Sequence, residues 1–253
     1  MAAGMVVSHF LHWIDTARVA ERAAAATALA RAYVNAELPF EDRCAAEAAL
    51  TLLLDDASSK VRQALAEVLS TSHHAPVQIV AALAADQPEV AGPVLARSPL
   101  LTDSDLIDRV ADGTPATHRL IADRPMLSMA VSAALAEIAG SDACIILVAN
   151  SGAEIASLSF RRMAERHGHM ALLREALIGD PRLPADCRHM LLTKLGEALT
   201  GSPLVLALMG RARADRVMRD ACVKASVTLI ENTRAGEHPA LIEHLRLRGN
   251  LTA

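Results

Sequence analysis

Val94-Leu-Ala-Arg-Ser-Pro-Leu-Leu101 returns 26 residues later as Leu120-Ile-Ala-Asp-Arg-Pro-Met-Leu127, and 27 residues after that as Leu147-Val-Ala-Asn-Ser-Gly-Ala-Glu154. Each copy joins the end of an apolar, helically spaced segment to a short polar turn. A fixed period of this length is typical of stacked helix pairs, because one pair cannot bury its apolar face alone. The repeat therefore predicts an all-α fold, an α-solenoid of short antiparallel helix pairs.

The composition agrees with an aliphatic helical interior. The residues are 52% hydrophobic but only 2% aromatic, so alanine, leucine, valine and isoleucine must fill the core. Alanine also has the highest helix propensity. No apolar run reaches the roughly 18 residues that a transmembrane helix needs, and the first residues lack the pattern of a signal peptide. We therefore expect a cytoplasmic protein.

Breaks rich in Gly, Pro, Ser and Asp set the helix boundaries. An opening hairpin is predicted from Trp13–Asn35 and Phe40–Leu54. Helix pairs follow at 59–70 with 76–85, 88–96 with 103–111, 115–122 with 127–139, and 142–149 with 153–166. Beyond Gly168 the period fades, and helices are predicted at 169–178, 185–199, 203–209, 211–233 and 239–247.

This pattern predicts two regions. Residues 1–166 should hold the opening hairpin and the repeats, and residues 167–253 a C-terminal helical region packed on them. The segment Gly249-Asn-Leu-Thr-Ala253 resembles the start of another helix. We therefore expect the natural chain to continue past Ala253.

Several phrases resemble a known kind of repeat. Asp56 followed by Val61-Arg62, and Asp86 followed by Pro88 and Val90, are similar to the loop and second helix of HEAT repeats. In that family the Asp usually tethers a loop and the Arg reaches a neighbouring repeat. The segments 53–67, 90–101 and 147–155 resemble more closely an uncharacterised alphaproteobacterial HEAT-like family. The resemblance implies a helical-repeat fold and a bacterial cytoplasmic setting, but no activity; the period is shorter than the roughly 40 residues of ordinary HEAT repeats.

The ten histidines invite a search for a metal site. No HExxH motif occurs, and the candidate ligands lack the converging spacing that zinc needs. We expect exposed or helix-capping histidines and no bound metal or cofactor. The histidines considered as candidate metal ligands are His73, His74, His118, His167, His169 and His189.

The sequence also lacks familiar catalytic patterns. There is no Gly-rich phosphate loop after a strand and no GxSxG motif. The four cysteines, Cys44, Cys144, Cys187 and Cys222, form no CxxC pair, and we expect them to be buried, reduced thiols. These observations favour a protein without catalytic residues. The alternative is an enzyme whose pocket lies inside the solenoid.

Aligning the three repeated phrases places Arg97, Asp123 and Asn150 at equivalent positions before the turn. Stacked repeats would bring such residues into a polar ladder that could recognise a peptide or helix. Alternatively, each side chain satisfies free carbonyl groups at the end of its own helix.

A second candidate site is basic. Arg211, Arg213, Arg216 and Arg219 follow one another on the long late helix, and Arg161, Arg162 and Arg166 lie on another. Residues 1–150 hold 10 basic and 18 acidic side chains, a formal charge of −8, whereas residues 151–253 hold 15 and 11, a charge of +4. Such asymmetry could orient an anionic partner or pair the chain head to tail with itself.

Together these features predict a non-catalytic helical-repeat scaffold that binds a protein partner or itself, with homo-oligomers possible. The alternative is a nucleic-acid-associated HEAT-like protein that uses the basic late helices. We do not expect nucleic acid to be the main partner, because the net charge is −4 and aromatic residues for base stacking are scarce.

Overall fold

The computed structural model describes residues 13, 16–233 and 235–247. In this part of the chain 77% of the residues are helical and no strand forms. Its contacts divide the chain into two compact units, Met1–Pro125 and Met126–Ala253. The boundary after Pro125 separates two packed bodies. The predicted boundary after residue 166 separates the repeats from the C-terminal region, and it stays a prediction.

The first unit contains seven described α-helices. They are α1 (Val19–Asn35), α2 (Phe40–Leu54), α3 (Ser59–Leu69), α4 (Val77–Ala84), α5 (Pro88–Arg97), α6 (Asp103–Asp112) and α7 (Pro115–Ala122). The breaks between them use the expected chemistry: Thr102 and Thr114 accept backbone hydrogen bonds as N-caps, and Pro88 and Pro115 occupy first turns.

Alternate helices of the first unit pack on one another. Helix α3 lies between α1 and α5, helix α5 also contacts α7, and α2 contacts α4. The core that results is aliphatic, with Leu50, Leu65, Leu83 and Val94 fully buried. Apolar stripes of alternate helices are therefore buried against one another across successive pairs.

The second unit contains eight described α-helices. They are α8 (Met129–Ile138), α9 (Ser141–Ala149), α10 (Ser157–His167), α11 (Ala171–Gly179), α12 (Ala185–Thr200), α13 (Pro203–Met209), α14 (Arg211–Asn232) and α15 (His238–Leu247), with a 3₁₀ turn at Ala235–Glu237. Helix α10 contacts both α8 and α12, helix α9 contacts α11, and both α14 and α15 pack on α12.

Of the helix starts that differ from the prediction, three have identifiable reasons. Helix α1 begins at Val19 rather than Trp13, because Arg18 is extended and its N–H bonds to the Glu21 carboxylate. Helices α8 and α10 begin later than predicted, because Leu127 and Ala153 form a short parallel bridge. The predicted further helix at the C-terminus lies outside the described residues.

Candidate functional site

Two arginine–aspartate links join successive helix pairs in the first unit. Arg22 on α1 bonds to Asp56 through Nε–Oδ2 at 2.7 Å and Nη2–Oδ1 at 3.0 Å. Arg62 on α3 bonds in the same way to Asp86, at 2.6 and 3.0 Å. The guanidinium hydrogen bonds hold the pKa values of both carboxyl groups below their usual range. These charges support the fold and are not available to a ligand.

Other arginines close the carbonyl ends of helices. Arg124 is buried and donates from Nη1 and Nη2 to the Leu95 and Ser98 carbonyl groups at the end of α5. In the second unit, Arg182 donates to the carbonyl group of Val148, in the last turn of α9, at 2.8 Å and to that of Ala153, beyond the helix, at 2.9 Å. The last carbonyls of a helix lack intrahelical donors, so each arginine supplies donors that the helix itself cannot.

The three residues of the predicted polar ladder lie in three different local environments. Arg97 pairs with the Glu67 carboxylate at 2.7 Å, and Asp123 is an exposed residue after α7. The Asn150 Oδ1 accepts from the Gly152 N–H at 2.9 Å, and the Asn150 carbonyl is approached by Arg182 at 3.4 Å. A role for Arg97, Asp123 and Asn150 in recognition therefore stays a prediction.

The basic residues of α10 are engaged within the second unit. Arg161 bonds to Asp186, Arg162 bonds to Glu137 at 2.6 Å, and Arg166 donates to carbonyl groups at the end of α8. By contrast, the four candidate arginines of α14 are all exposed: Arg211, Arg213, Arg216 and Arg219. Of the two predicted basic helices, α14 is the one whose candidate arginines are all exposed, whereas those of α10 are bonded within the unit.

Two histidines are buried: His118 has the expected capping role at the end of α6, whereas His189 corrects the expectation that all of them are exposed or capping. His118 is buried and its Nε2 lies 2.9 Å from the Val110 carbonyl oxygen. His189 is buried edge-to-face against His244, with ring centroids 5.3 Å apart. Across the described residues, no group of three or more His, Cys, Asp or Glu side chains is placed to hold a metal ion.

The cysteines are also more varied than expected. Cys144 and Cys187 are buried, and burial raises their pKa to about 11 and about 12. Cys44 is exposed and Cys222 is half-buried, so the expectation of four buried thiols is wrong for these two. The raised pKa values of Cys144 and Cys187 work against a nucleophilic role for these two, because the thiolate is the reactive form.

A groove of about 810 Å³ runs between α12 and α14. Gly196 on α12 makes the close approach of these helices possible, because a Cβ there would lie 2.8 Å from the Cys222 sulfur. The apolar part of the lining comes from Leu192, Met218, Cys222, Val223, Val227, Ile230 and Leu245. Arg211, Asp215 and Arg219 add charge at one end of the groove.

The outer rim of this groove continues as a strip along α14. Val223, Val227 and Ile230 follow at helical spacing and are 63%, 49% and 42% exposed. One and two turns earlier, Arg219 and Arg216 stand on the same face, because residues three and four apart are neighbours on a helix surface. We call these five residues the α14 strip. Its N-terminal end is basic, with two arginines against the exposed Asp220 beside them, and its C-terminal end is apolar.

Helix α13 adds further exposed apolar surface next to α14. Leu204 and Leu208 are 68% and 74% exposed, and none of the seven residues of this helix is buried. Gly210, with a φ of +72°, turns the chain between the two helices, a conformation that favours glycine. The sequence reasoning found the arginines but missed the valine and isoleucine positions, although their spacing of four and three was visible.

Residues 90–253 match the family described as an uncharacterised protein conserved in bacteria, DUF2336. Because the match covers more than half of the chain, the protein belongs to this family. The resemblance to an uncharacterised bacterial family is thereby confirmed. No curated protein and no solved structure matches the chain.

Within the described residues no single helix is long and apolar enough to cross a membrane. The pair α12 and α13, bent by 63°, reaches that length and composition only when the two are counted together.

Proposed function

We propose that this protein is a non-catalytic helical-repeat scaffold, a HEAT-like α-solenoid in the bacterial cytoplasm, which binds a protein partner or itself. The binding surface in this proposal is the α14 strip together with the groove beside it. The observation that carries the proposal is the exposure of Val223, Val227 and Ile230 along one face of a helix that borders an apolar groove.

The packing of each unit supports the solenoid part of the proposal. Alternate helices pack on one another, as expected when each pair buries its apolar face against the next pair. The bond from Arg62 to Asp86 has the form that the resemblance to HEAT repeats implies, an arginine of one pair reaching the loop aspartate of the next. Repeats of this kind present extended surfaces rather than closed catalytic pockets.

The exposed apolar surface supports the binding part. Single exposed apolar residues are ordinary, but contiguous apolar patches with a polar rim are typical of interaction sites. The α14 strip has that form, since arginines continue the row at one end. The groove lies beside the strip, and an apolar side chain of a partner could be buried in it away from water.

One observation favours the alternative of a nucleic-acid-associated protein. The four exposed arginines of α14 could neutralise backbone phosphates. Asp215 and Asp220 lie among them on the same helix, and the arginines of α10 already bond within the protein. Filter binding to random duplex DNA over a salt series tests this alternative. Binding that weakens steeply with salt would favour nucleic acid over a protein partner.

The main test is site-specific photo-crosslinking in living bacterial cells. A benzophenone amino acid replaces Val227 in the strip, or Val217 on another side of the same helix as a matched control. The two valines are 49% and 48% exposed. We expect discrete protein adducts from position 227 and none from position 217. Equal yields from both positions, or no adduct from position 227, would contradict the proposed surface.

A further inference from the structure

We infer that the α14 strip binds the exposed face of α2 of a second copy, so that copies join head to tail. The inference rests on the proposed function, because it names the occupant of that same strip. The observations behind it are an acidic, apolar helix face in the first unit and the basic, apolar strip in the second.

Helix α2 carries an exposed row on the side opposite its core. Phe40, Cys44, Ala48 and Leu52 recur every four residues; all four are exposed, with Phe40 at 81% and Leu52 at 40%. Its buried side holds Ala49, Leu50 and Leu53 instead. We call the four exposed residues the α2 face. A helix that keeps one apolar stripe for its core and exposes a second has a surface free for a partner.

The α2 face is acidic where the α14 strip is basic. Exposed Asp42 and Arg43 lie away from the α2 face, because successive residues of a helix are about 100° apart, whereas exposed Glu41 lies beside Ala48 and Leu52. Glu41 is therefore the charge that this face offers, and Arg216 and Arg219 lie in the N-terminal half of the strip. Parallel docking brings these charges together. In that orientation the strip valines meet the small Cys44 and Ala48, which allows close helix approach.

The two rows also match in length. Phe40 to Leu52 spans about 18 Å, and Arg216 to Ile230 about 21 Å, at the helical rise of 1.5 Å per residue. The larger charge distribution agrees, since residues 1–150 carry −8 and residues 151–253 carry +4. Opposite fields of this kind steer two copies toward a head-to-tail encounter.

A contact between two α14 strips explains these features less well. Placed antiparallel, it would set Arg216 and Arg219 of each copy against Val227 and Ile230 of the other. In that register exposed Asp220, four residues after Arg216 on the same face, would lie opposite Ser226 and not opposite either arginine. Docking of α2 on α14 uses two different surfaces, so it leaves one of each surface free at the ends of every open assembly. Such heterologous contacts build rings or open chains rather than closed dimers.

The test is sedimentation velocity over a concentration series of the full chain. One helix on one groove buries less than a standard interface, so we expect a Kd of about 10–100 μM. The wild-type protein should grow beyond a dimer as its concentration rises past this range. Val227→Glu, in the strip, and Ala48→Glu, in the α2 face, should each leave a monomer. Val217→Glu, at an equally exposed site outside the strip, should assemble like the wild type.

Mixing the two inactive variants gives the decisive result. Val227→Glu keeps a working α2 face and Ala48→Glu keeps a working strip, so an equimolar mixture should form a 1:1 dimer and stop there. A charge exchange adds a second readout: Arg219→Glu should weaken assembly several-fold, and mixing it with Glu41→Arg should restore it. Circular dichroism checks that each variant is folded.

The opposing outcomes separate this inference from the proposed function. A wild-type protein that stays monomeric at about ten times the expected Kd, or Ala48→Glu chains that still self-associate, would overturn the head-to-tail contact. If crosslinks from position 227 then reach a different protein, the proposed function stands with another occupant. If position 227 yields no adduct, both fail.

Discussion

The guanidinium group of Arg62 holds the carboxylate of Asp86 in a two-bond pair, with Nε–Oδ2 at 2.6 Å and Nη2–Oδ1 at 3.0 Å. A third nitrogen of Arg62 donates to the Asp56 carbonyl, and Asp56 in turn receives Arg22. The pair α1 and α2, the pair α3 and α4, and the turn that begins α5 are thus linked in series. Ala91, at the position of α5 that corresponds to Arg62, ends the series.

This series predicts a measurable coupling between Arg62 and Asp86. Arg62→Met and Asp86→Asn should each lower the free energy of unfolding, and the double variant should lose less than their sum. We expect a coupling energy of about 1–3 kcal/mol, because both side chains are less than one fifth exposed and the pair makes two charged hydrogen bonds. Urea denaturation of the four proteins measures it. Strict additivity would show that the pair contributes nothing.

The same pair predicts a pH dependence of stability. The pKa of Asp86 in the folded protein is lowered, chiefly by its hydrogen bonds from Arg62. The folded protein therefore binds fewer protons than the unfolded chain near that pKa, so the stabilisation is complete above the unfolded value, about 3.9. It is lost as the pH falls through the folded pKa. Denaturation at pH 6 and at pH 3 should show a smaller loss for Asp86→Asn than for the wild type.

Removal of the Arg124 side chain should destabilise the first unit strongly. Arg124→Met keeps an apolar stem but leaves the Leu95 and Ser98 carbonyls without these donors, at a cost of about 2–4 kcal/mol. Arg31→Met, at an exposed position of α1, is the control and should change stability by less than about 0.5 kcal/mol. Equal effects of the two variants in thermal melts would contradict the role of Arg124.

A larger residue at Gly196 should push α14 away from α12. In Gly196→Val the new side chain would meet Cys222 and Met218, so we expect a loss of about 1–3 kcal/mol and faster labelling of the Cys222 thiol. Gly179→Ala is the control, since its added Cβ meets nothing within 4 Å. That change should be neutral or stabilising. Unchanged Cys222 labelling in Gly196→Val would rule out the proposed close contact.

The four thiols should react at three distinct rates. Cys44 is exposed and should react with Ellman's reagent within the first phase, while half-buried Cys222 follows more slowly. Cys144 and Cys187 should stay protected until the protein unfolds, because they are buried and burial raises their pKa to about 11 and about 12. Cys44→Ser should remove the fast phase alone. A fast phase that survives this substitution would contradict the assignment.

Much of the helix pattern could be predicted from local signals. Phe40–Leu54, Pro115–Ala122 and Pro203–Met209 begin and end where the sequence places them, because proline and short polar turns fix helix ends locally. The late starts of α8 and α10 could not be predicted in this way. They depend on the bridge between Leu127 and Ala153, which are far apart in the sequence.

The candidate site was predictable only in part. The arginines of α14 stand out in the sequence by their number, but so do those of α10, and composition cannot tell exposed charges from paired ones. Arg162 illustrates the difference, since its carboxylate partner Glu137 is 25 residues away. The same limit explains His118 and Cys44, whose burial and exposure follow from which side of a helix meets its neighbours.

The sequence by itself determined that this chain forms short helices in pairs, because helix propensity, apolar spacing and turn residues all act over a few positions. Only the tertiary structure decided which charges link helix pairs and which face solvent, because that depends on contacts between residues about 25 to 35 positions apart. The α14 strip arises in this second way: helix α12 covers one side of α14 and leaves the basic and apolar side open.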